Sequence, residues 1–518
     1  MEGHAGRLAA LSRHSLVALS LLTLISGTLA FLAYVVFVPV PGGGAGSGGL
    51  MYQWRRCQDS AGRSGGDDGG TMAGGVARAP TSLSHIVFGI GGAARTWGRR
   101  RGYVELWWRP GRTRGHVWLD EEPAGPWPAA TSPPYRVSAD ASRFGRRAAA
   151  SRMARIVADS FAAVAAANGT GEEEEEEVRW FVMGDDDTVF FPDNLVAVLR
   201  KYDHEQAYYV GAPSESVAQD LTHSYGMAFG GGGFAVSYPA AAELAGAIDG
   251  CLDRYSELFG SDERVHACLS ELGIPLTREP GFHQLDLRGD AYGLLSAHPV
   301  APLVSLHHLD LIEPISPHGR TALDAVRSLV DAAQLDPARS LQQAFCYHHD
   351  SGGSEGNNNW SVSVAWGYAA QLYPWAVPAH QLEVPLQTFE ALRGRPDGPF
   401  LFNTRPWRPD DACARPLTFF LSHARNETYG ATAAAATVTE YSRNAGGKSM
   451  EKECDKPSLR SAAAVQTVRV LAPKMNPADW ERAPRRQCCK TAWARRGSVL
   501  EVRIGRCRRG ELAVVSSP

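Results

Sequence analysis

Short apolar runs alternate with longer amphipathic stretches over residues 83–320. The runs are rich in β-branched and aromatic residues, which is typical of buried strands. They lie at residues 85–90, 116–119, 178–183 and 207–211. The amphipathic stretches place apolar residues about one helical turn apart. They lie at residues 95–107, 143–167 and 192–201. Strands that alternate with helices predict an α/β domain built on a mainly parallel sheet.

The pattern changes beyond residue 320. Apart from one helical stretch at residues 322–335, the apolar positions fall in short, partly alternating runs that indicate strands. These runs lie at residues 360–371, 418–421, 465–471 and 498–504. Residues 431–456 are mostly small and polar and predict a loop. We therefore predict a smaller β-rich, sandwich-like domain over residues 321–518.

An uncharged apolar segment lies at residues 16–38. As a helix it would extend ~34 Å, which is enough to cross the hydrocarbon core of a membrane. Arg7 and Arg13 precede it, so the positive-inside rule places the tail, residues 1–15, in the cytoplasm. A cleaved signal peptide usually has a shorter apolar region, of about 7–15 residues. The pattern predicts a single-pass anchor followed by a flexible Gly- and Ser-rich stem over residues 39–82.

The charge pattern indicates no strongly charged partner. A net charge of −3 leaves no large basic surface of the kind that binds nucleic acid. The short basic clusters at residues 99–101 and 485–486 are interpreted as solvated surface. The glutamate run at residues 172–177 is interpreted as a solvated loop, with a calcium-binding tract as the alternative.

Nine cysteines and a set of glycosylation sequons indicate an oxidising, secretory environment. Cys251 and Cys268 lie in the middle of the chain, Cys57 lies near its start, and the other cysteines follow residue 345. Zinc-site spacing is absent from the sequence, so disulfides are predicted, with their pairing left open. The sequons begin at Asn168, Asn359 and Asn426.

Three consecutive aspartates, Asp185, Asp186 and Asp187, follow the apolar run that predicts the third strand. Open α/β sheets bind ligands at the carboxyl ends of their strands. Adjacent carboxylates repel one another, and a hard divalent cation relieves this when it is held by carboxylates and substrate phosphates. Since alternate residues of an extended segment point the same way, Asp185 and Asp187 can address one cation while Asp186 points elsewhere. A solvated acidic turn is the alternative.

Two further features follow in the chain. Four glycines at residues 230–233, with Gly231 and Gly232 at their centre, suit a sharp bend and close approach of a ligand, although a plain flexible turn is the alternative. Asp262 and Glu263 precede an amphipathic stretch. Acidic residues there either cap a helix or supply a general base.

His307 and His308 close this series after another apolar run. A lone histidine is more often structural, but a histidine beyond an acidic triplet is a candidate third metal ligand. The order of these motifs resembles the Fringe-like and β-1,3-galactosyltransferase-like glycosyltransferases, and most closely the plant Fringe-related branch with a C-terminal extension. The resemblance is carried by residues 85–108, 115–120, 180–194, 228–237, 251–277, 281–286 and 305–317.

The resemblance implies a glycosyltransferase A-type, Rossmann-like fold over residues 83–320. It implies inverting transfer of a hexose, of the galactose or N-acetylglucosamine type, from a UDP-sugar to a glycan or glycoprotein acceptor. It also implies manganese as the cofactor, and a type II position in the Golgi membrane with the catalytic region in the lumen.

The resemblance assigns roles to individual residues by position. The expected metal ligands are Asp185, Asp187 and His307. The expected donor-binding residues are Asp185, Asp186, Gly231 and Gly232. Whether His307 or the adjacent His308 is the metal ligand stays open. Asp262 and Glu263 occupy the place of the catalytic base, where the family usually has two aspartates, so which of them acts is also open.

Two other functional classes compete with this interpretation. A non-catalytic glycan-binding or scaffold protein would keep the fold without an intact base, and Glu263 in place of aspartate favours it. A metal-dependent phosphotransferase or nuclease also uses acidic clusters. It is disfavoured by the predicted anchor, the sequons and the absence of a phosphate-cradling motif from the sequence.

Overall fold

The computed structural model describes most of the chain beyond residue 78. The described residues are 79–168, 177–317, 321–350, 358–411, 413–429, 434–444, 454, 457–482, 484–493 and 498–513. The predicted tail, anchor and most of the stem lie outside them, as do residues 172–176 of the glutamate run. Among the described helices, none is both long and apolar enough to cross a membrane.

The secondary structure falls into an α/β part followed by a β-rich part. The strands are β1 Ile86–Gly91, β2 Arg114–Leu119, β3 Tyr135–Val137, β4 Trp180–Asp185, β5 Val189–Phe190, β6 Tyr209–Gly211, β7 Phe234–Ser237, β8 Leu276–Arg278, β9 Phe282–Gln284, β10 Leu287–Gly289, β11 Ser305–His307, β12 Gln343–Asp350, β13 Asn358–Ala365, β14 Ala369–Tyr373, β15 Phe389–Ala391, β16 Leu417–Tyr429, β17 Ala434–Arg443, β18 Thr467–Pro473, β19 Cys488–Trp493 and β20 Val499–Gly505. The helices are α1 Ala94–Glu105, α2 Ala148–Asn168, α3 Pro192–Leu199, α4 Val217–Thr222, α5 Tyr238–Arg254, α6 Ser261–Glu271, α7 Tyr292–Leu295, α8 Ala322–Leu335, α9 Ala379–Leu382 and α10 Pro457–Ala463.

A seven-stranded sheet forms the centre of the α/β part, in the order β3-β2-β1-β4-β7-β6-β8. Its strands pair in parallel except β7, which runs antiparallel to both of its neighbours. The prediction of an α/β domain with a mainly parallel sheet is therefore confirmed. The parallel arrangement follows from the helical crossovers between successive strands.

Both faces of this sheet are covered, which explains why its central strands are apolar without interruption. Along β1, Phe88 and Ile90 belong to one core and Val87 to the other, because successive side chains alternate between faces. Helices α2, α5 and α6 cover the face that holds Val87. A disulfide between Cys251 and Cys268 joins α5 to α6.

The β-rich part corrects one prediction. It is a closed barrel, in the order β12-β13-β14-β16-β17-β18-β20-β19, and not a sandwich. Closure comes from the pairing of β12 with β19 at Phe345 and Cys488, and a disulfide joins Cys346 to Cys489 beside that pairing. Sandwiches and barrels show the same alternation along each strand. The choice between them depends on whether the first and last strands meet, which is a long-range pairing that the local pattern does not encode.

The loop predicted over residues 431–456 is wrong for residues 434–443, which form β17 and pair with β16 and β18. Small and hydroxyl-bearing residues made this strand look polar. In the structure Thr437 and Thr439 are buried, and their hydroxyls donate to Ala472 O and to Tyr441 Oη. Buried hydroxyls that are hydrogen-bonded are tolerated in a core.

A small sheet in the order β5-β11-β9 lies beside the main sheet and determines where the site forms. Strand β11 pairs antiparallel with β5 and parallel with β9. Since β5 follows the aspartate triplet directly, this pairing brings the end of β11 next to the end of β4.

Candidate metal and catalytic site

The aspartate triplet forms a tight turn at the carboxyl end of β4. The strand is buried from Trp180 to Met183 and ends at Asp185, level with Gly91 of β1. Thr188 holds the turn: its N–H donates to Asp185 O at 3.1 Å, and its Oγ1 accepts from Asp185 N at 2.8 Å. The Thr188 hydroxyl also donates to Gly231 O at 2.7 Å and so ties the turn to the glycine loop.

His307, at the end of β11, faces this turn. Its Nε2 lies 3.2 Å from Asp187 Oδ1 and 3.9 Å from Asp185 Oδ2. One ligand atom from each of these three residues lies within 4.8 Å of the others. The structure therefore brings together the three predicted metal ligands. His308 is not a member of this group, since its ring bonds to Asp286 at 2.8 Å.

Gln284 of β9 sets the protonation of His307. The Gln284 amide nitrogen donates to Asp286 Oδ1 at 3.2 Å, so its amide oxygen faces His307 Nδ1, at 3.0 Å. That oxygen only accepts, so the imidazole proton lies on Nδ1 and the lone pair of Nε2 faces the carboxylates. In this tautomer the Nε2 lone pair and Asp187 Oδ1, 3.2 Å apart, can both ligate one cation. The donor set of two carboxylates and one imidazole suits a divalent cation.

The pKa values of His307 and Asp185 shift mainly because both groups are buried. Burial lowers the pKa of the His307 imidazole, which keeps the ring neutral and able to donate a lone pair. Burial, followed by the charges of Asp187 and Asp186, raises the pKa of the Asp185 carboxyl well above its ordinary value. A bound cation would relieve this repulsion between carboxylates.

Arg100 is a site residue that the sequence analysis missed. Its Nη1 lies 3.0 Å from Asp186 Oδ1 and 3.3 Å from Asp187 Oδ2. The Arg100 side chain is 42% exposed, so the interpretation of residues 99–101 as solvated surface holds in part but missed these ion pairs. Thr96, one turn earlier on α1, donates to Asp186 Oδ2 at 3.3 Å. Asp186 thus turns to α1 and away from His307, as the alternation of side chains predicts.

The glycine loop gives His307 its space. A β-carbon at Gly231 would lie 2.0 Å from His307 Cε1, and one at Gly232 would lie 3.3 Å from Gln284 N. Gly233 has a φ of +84°, a backbone conformation that favours glycine. Atoms of His307 and Gln284 therefore fill the space in which β-carbons of Gly231 and Gly232 would lie. A direct role of these two glycines in binding the donor stays a prediction.

Asp262 and Glu263, at the start of α6, have different surroundings. Glu263 Oε2 accepts from Gly260 N at 2.7 Å, and its Oε1 lies 2.8 Å from His223 Nδ1. Glu263 therefore caps the helix, as one of the two interpretations expected. Asp262 Oδ2 accepts from Gly230 N at 3.2 Å, and Asp262 lines a small cleft together with Asp185. Burial raises the pKa of the Asp262 carboxyl, which makes it a stronger base.

Comparison with known proteins decides the family. The model of a family described as "Protein of unknown function, DUF604" matches residues 219–489, which is more than half of the chain. The model described as "Fringe-like" matches residues 136–292, which include the aspartate triplet, the glycine loop and Asp262. The chain belongs to the DUF604 family, and its residues 136–292 are Fringe-like. The predicted resemblance to Fringe-like proteins is confirmed.

Two relatives match a shorter part of this chain. A "Beta-1,3-glucosyltransferase" from Homo sapiens is 34% identical over 109 residues, which is 21% of this chain and 21% of the relative. A protein of the same description from Mus musculus is 33% identical over 109 residues, again 21% of each chain. The match therefore spans a minor share of either relative.

Proposed function

We propose that this chain is an inverting, metal-dependent glycosyltransferase that transfers a hexose from a UDP-sugar to a glycan or glycoprotein. The observation that carries the proposal is the convergence of Asp185, Asp187 and His307, with Asp262 lining the adjoining cleft. The sequence resemblance favours a galactose or N-acetylglucosamine donor. The description of the relatives adds glucose, and a β-1,3 linkage, to the candidates.

Each residue has a separate task in this proposal. Asp185, Asp187 and His307 would hold the cation, and manganese is the cation that the resemblance favours. When bound, a divalent cation would act as a Lewis acid that neutralises the charge of the leaving diphosphate. Gln284 keeps the proton of His307 on Nδ1, away from the cation position.

Asp262 would be the general base. Its carboxylate accepts the proton of the acceptor hydroxyl while the oxygen attacks the anomeric carbon and the bond to UDP breaks. A single displacement inverts the configuration at that carbon. The Gly230 N–H fixes Asp262 Oδ2 by a hydrogen bond, which leaves the orientation of the carboxylate defined before the substrate binds.

The scaffold alternative rested on Glu263, where the family usually has aspartate. The Glu263 carboxylate bonds to Gly260 N and His223, so this side chain belongs to the helix cap, whereas Asp262 lines the cleft. Its position supports the catalytic interpretation, and no other observation favours a scaffold.

The membrane position is part of the proposal. Residues 16–38 would anchor the chain in the Golgi membrane as a single-pass type II protein, with the α/β domain of residues 83–320 and the β-rich domain of residues 321–518 in the lumen. Asn426 is exposed on β16, as a glycosylated asparagine must be. Protection of the chain from protease in intact Golgi vesicles, with loss of protection after detergent, would test this topology.

A panel of UDP-sugars tests the activity. The purified chain with manganese should release UDP in the presence of an acceptor from one of UDP-glucose, UDP-galactose or UDP-N-acetylglucosamine, and the product linkage should have inverted configuration by NMR. Chelation with EDTA should abolish the reaction, and added manganese should restore it. A retained configuration, or full activity in EDTA, would contradict the proposal.

A further inference from the structure

Strand β9 separates two chemical environments. Neighbouring residues on a strand point to opposite faces. The Gln284 side chain contacts His307 at the metal site, whereas the His283 ring contacts Glu215 at 2.7 Å and His298 at 3.0 Å. The proposed transfer reaction assigns no task to the His283 contacts.

The second environment is a pocket of about 380 Å³, here named the Glu215 pocket. That size falls in the range of small-molecule sites, which run from about 300 to 1,000 Å³. Its walls are mostly apolar and include Phe282, Leu294 and Phe402. The buried polar residues of its lining include Glu215 and His283, together with Ser214 and Glu279. Leu401 comes from the β-rich part of the chain, and its N–H donates to Glu215 O at 3.1 Å.

The hydrogen bonds fix the protonation of Glu215. His298 Nδ1 donates to the carbonyl of Pro299 at 2.8 Å, so His298 Nε2 can only accept. It accepts from His283 Nε2, at 3.0 Å, which leaves His283 Nδ1 as an acceptor as well. Glu215 Oε1 must then carry the proton and donate it to His283 Nδ1. Burial lowers the pKa of His283 to about 4 and raises that of Glu215 well above its ordinary value, in agreement with a neutral pair.

The other oxygen of Glu215 is unsatisfied. Glu215 is 8% exposed, and its buried Oε2 has no hydrogen-bond partner among the described residues. In a protonated carboxyl this oxygen is a carbonyl acceptor. A buried acceptor without a donor costs about 1–3 kcal/mol, so a ligand that supplies a donor would remove that cost.

We propose that the Glu215 pocket binds a neutral ring compound that is apolar on its faces and carries a hydroxyl group, which donates to Glu215 Oε2. The apolar walls match the ring, and the hydroxyl supplies the missing donor. An ammonium group would also donate, but burying a charge against apolar walls costs far more than burying a hydroxyl. An ionised carboxylate has no hydrogen to donate to Glu215 Oε2, and the other acidic residues at the pocket, Glu279 and Glu383, already pair with Lys201 and Arg486.

A pair of matched probes tests the hydroxyl. Binding of 4-ethylphenol to the purified full chain is compared with that of 4-ethylanisole, which keeps the ring but lacks the donor, by ligand-observed NMR titration. We expect 4-ethylphenol to bind about fivefold more tightly, the effect of one hydrogen bond. Equal affinity of the two probes, or no binding of either at millimolar concentration, would overturn the proposal.

Variants locate the binding. Leu401→Trp fills the pocket from a position that is 41% exposed, and should weaken 4-ethylphenol binding roughly tenfold or more. Leu512→Trp, at a site 70% exposed and outside the pocket lining, should leave it unchanged. Glu215→Gln should retain binding, because the amide donates to His283 and keeps a carbonyl oxygen, whereas Glu215→Met should lose the preference for the phenol. Binding that survives Leu401→Trp would overturn the assignment, even if the Glu215 variants fail to fold.

Discussion

A β-carbon at Gly231 would lie 2.0 Å from Cε1 of His307. The imidazole therefore occupies space that only a glycine leaves open. This relationship joins the glycine loop to the metal ligands, two motifs separated in the sequence, and gives the loop a structural task that does not require contact with the substrate.

Gly231→Ala should displace His307 and weaken manganese binding by roughly 10- to 100-fold, because the third ligand moves out of place. Gly246→Ala is the matched control, since an added β-carbon meets no atom within 4 Å at that exposed position of α5. Titration calorimetry with manganese would measure both. Unchanged manganese affinity in Gly231→Ala would show that His307 is not a ligand.

Gln284→Leu should have a smaller, related effect. Without the amide oxygen, the His307 proton is free to move to Nε2, where it blocks the lone pair. We expect about tenfold weaker manganese binding at neutral pH, with Gln284→Glu closer to the wild type because a carboxylate also accepts from Nδ1. The positioning role would be refuted by equal affinities for the Leu and Glu variants.

Substitutions of the two acidic residues at the start of α6 should have different effects, one on kcat and the other on stability. Asp262→Asn should lower kcat by about 10²- to 10⁴-fold, as expected for loss of a general base, without a comparable loss of stability. Glu263→Gln should lose about 1 kcal/mol of stability, since its helix cap and its contact with His223 weaken, and should keep most of its kcat. Steady-state kinetics and thermal unfolding would measure both variants, and the opposite pattern would make Glu263 the base.

The disulfide beside the barrel closure should matter for stability more than for catalysis. Cys346 and Cys489 are 143 residues apart in the sequence, so their bond restricts the unfolded chain strongly. Replacing both with alanine should lower the free energy of unfolding by about 2–5 kcal/mol. Denaturant unfolding of the double variant checks this, with kinetics as a control. A variant as stable as the wild type would mean that strand pairing alone closes the barrel.

Local signals predicted the α/β part of the fold well. The apolar run before Asp185 became β4, and the amphipathic residues 322–335 became α8 with the same bounds. The metal group was also predictable, because Asp185 and Asp187 follow a strand and the family resemblance supplied His307.

Long-range contacts explain what the sequence left open. Closure of the barrel depends on the pairing of β12 with β19. The burial of Thr437 depends on a hydrogen bond from its hydroxyl to Ala472 O, on a different strand. Arg100 belongs to a cluster that looks like ordinary surface until α1 packs beside the aspartate turn. Gln284 lies within the GFHQLD stretch that carried the resemblance. Strand alternation predicts that its side chain and that of His283 point to opposite faces. Its contact with His307, however, follows only from the pairing of β9 with β11.

Manganese binding in the presence of UDP tests the central claim most directly. Calorimetry should show manganese binding to the wild type that is lost in Asp187→Asn and in His307→Ala. It should persist in Asp186→Asn, because Asp186 turns to Arg100 and Thr96. Undiminished binding in the Asp187 and His307 variants would contradict the account.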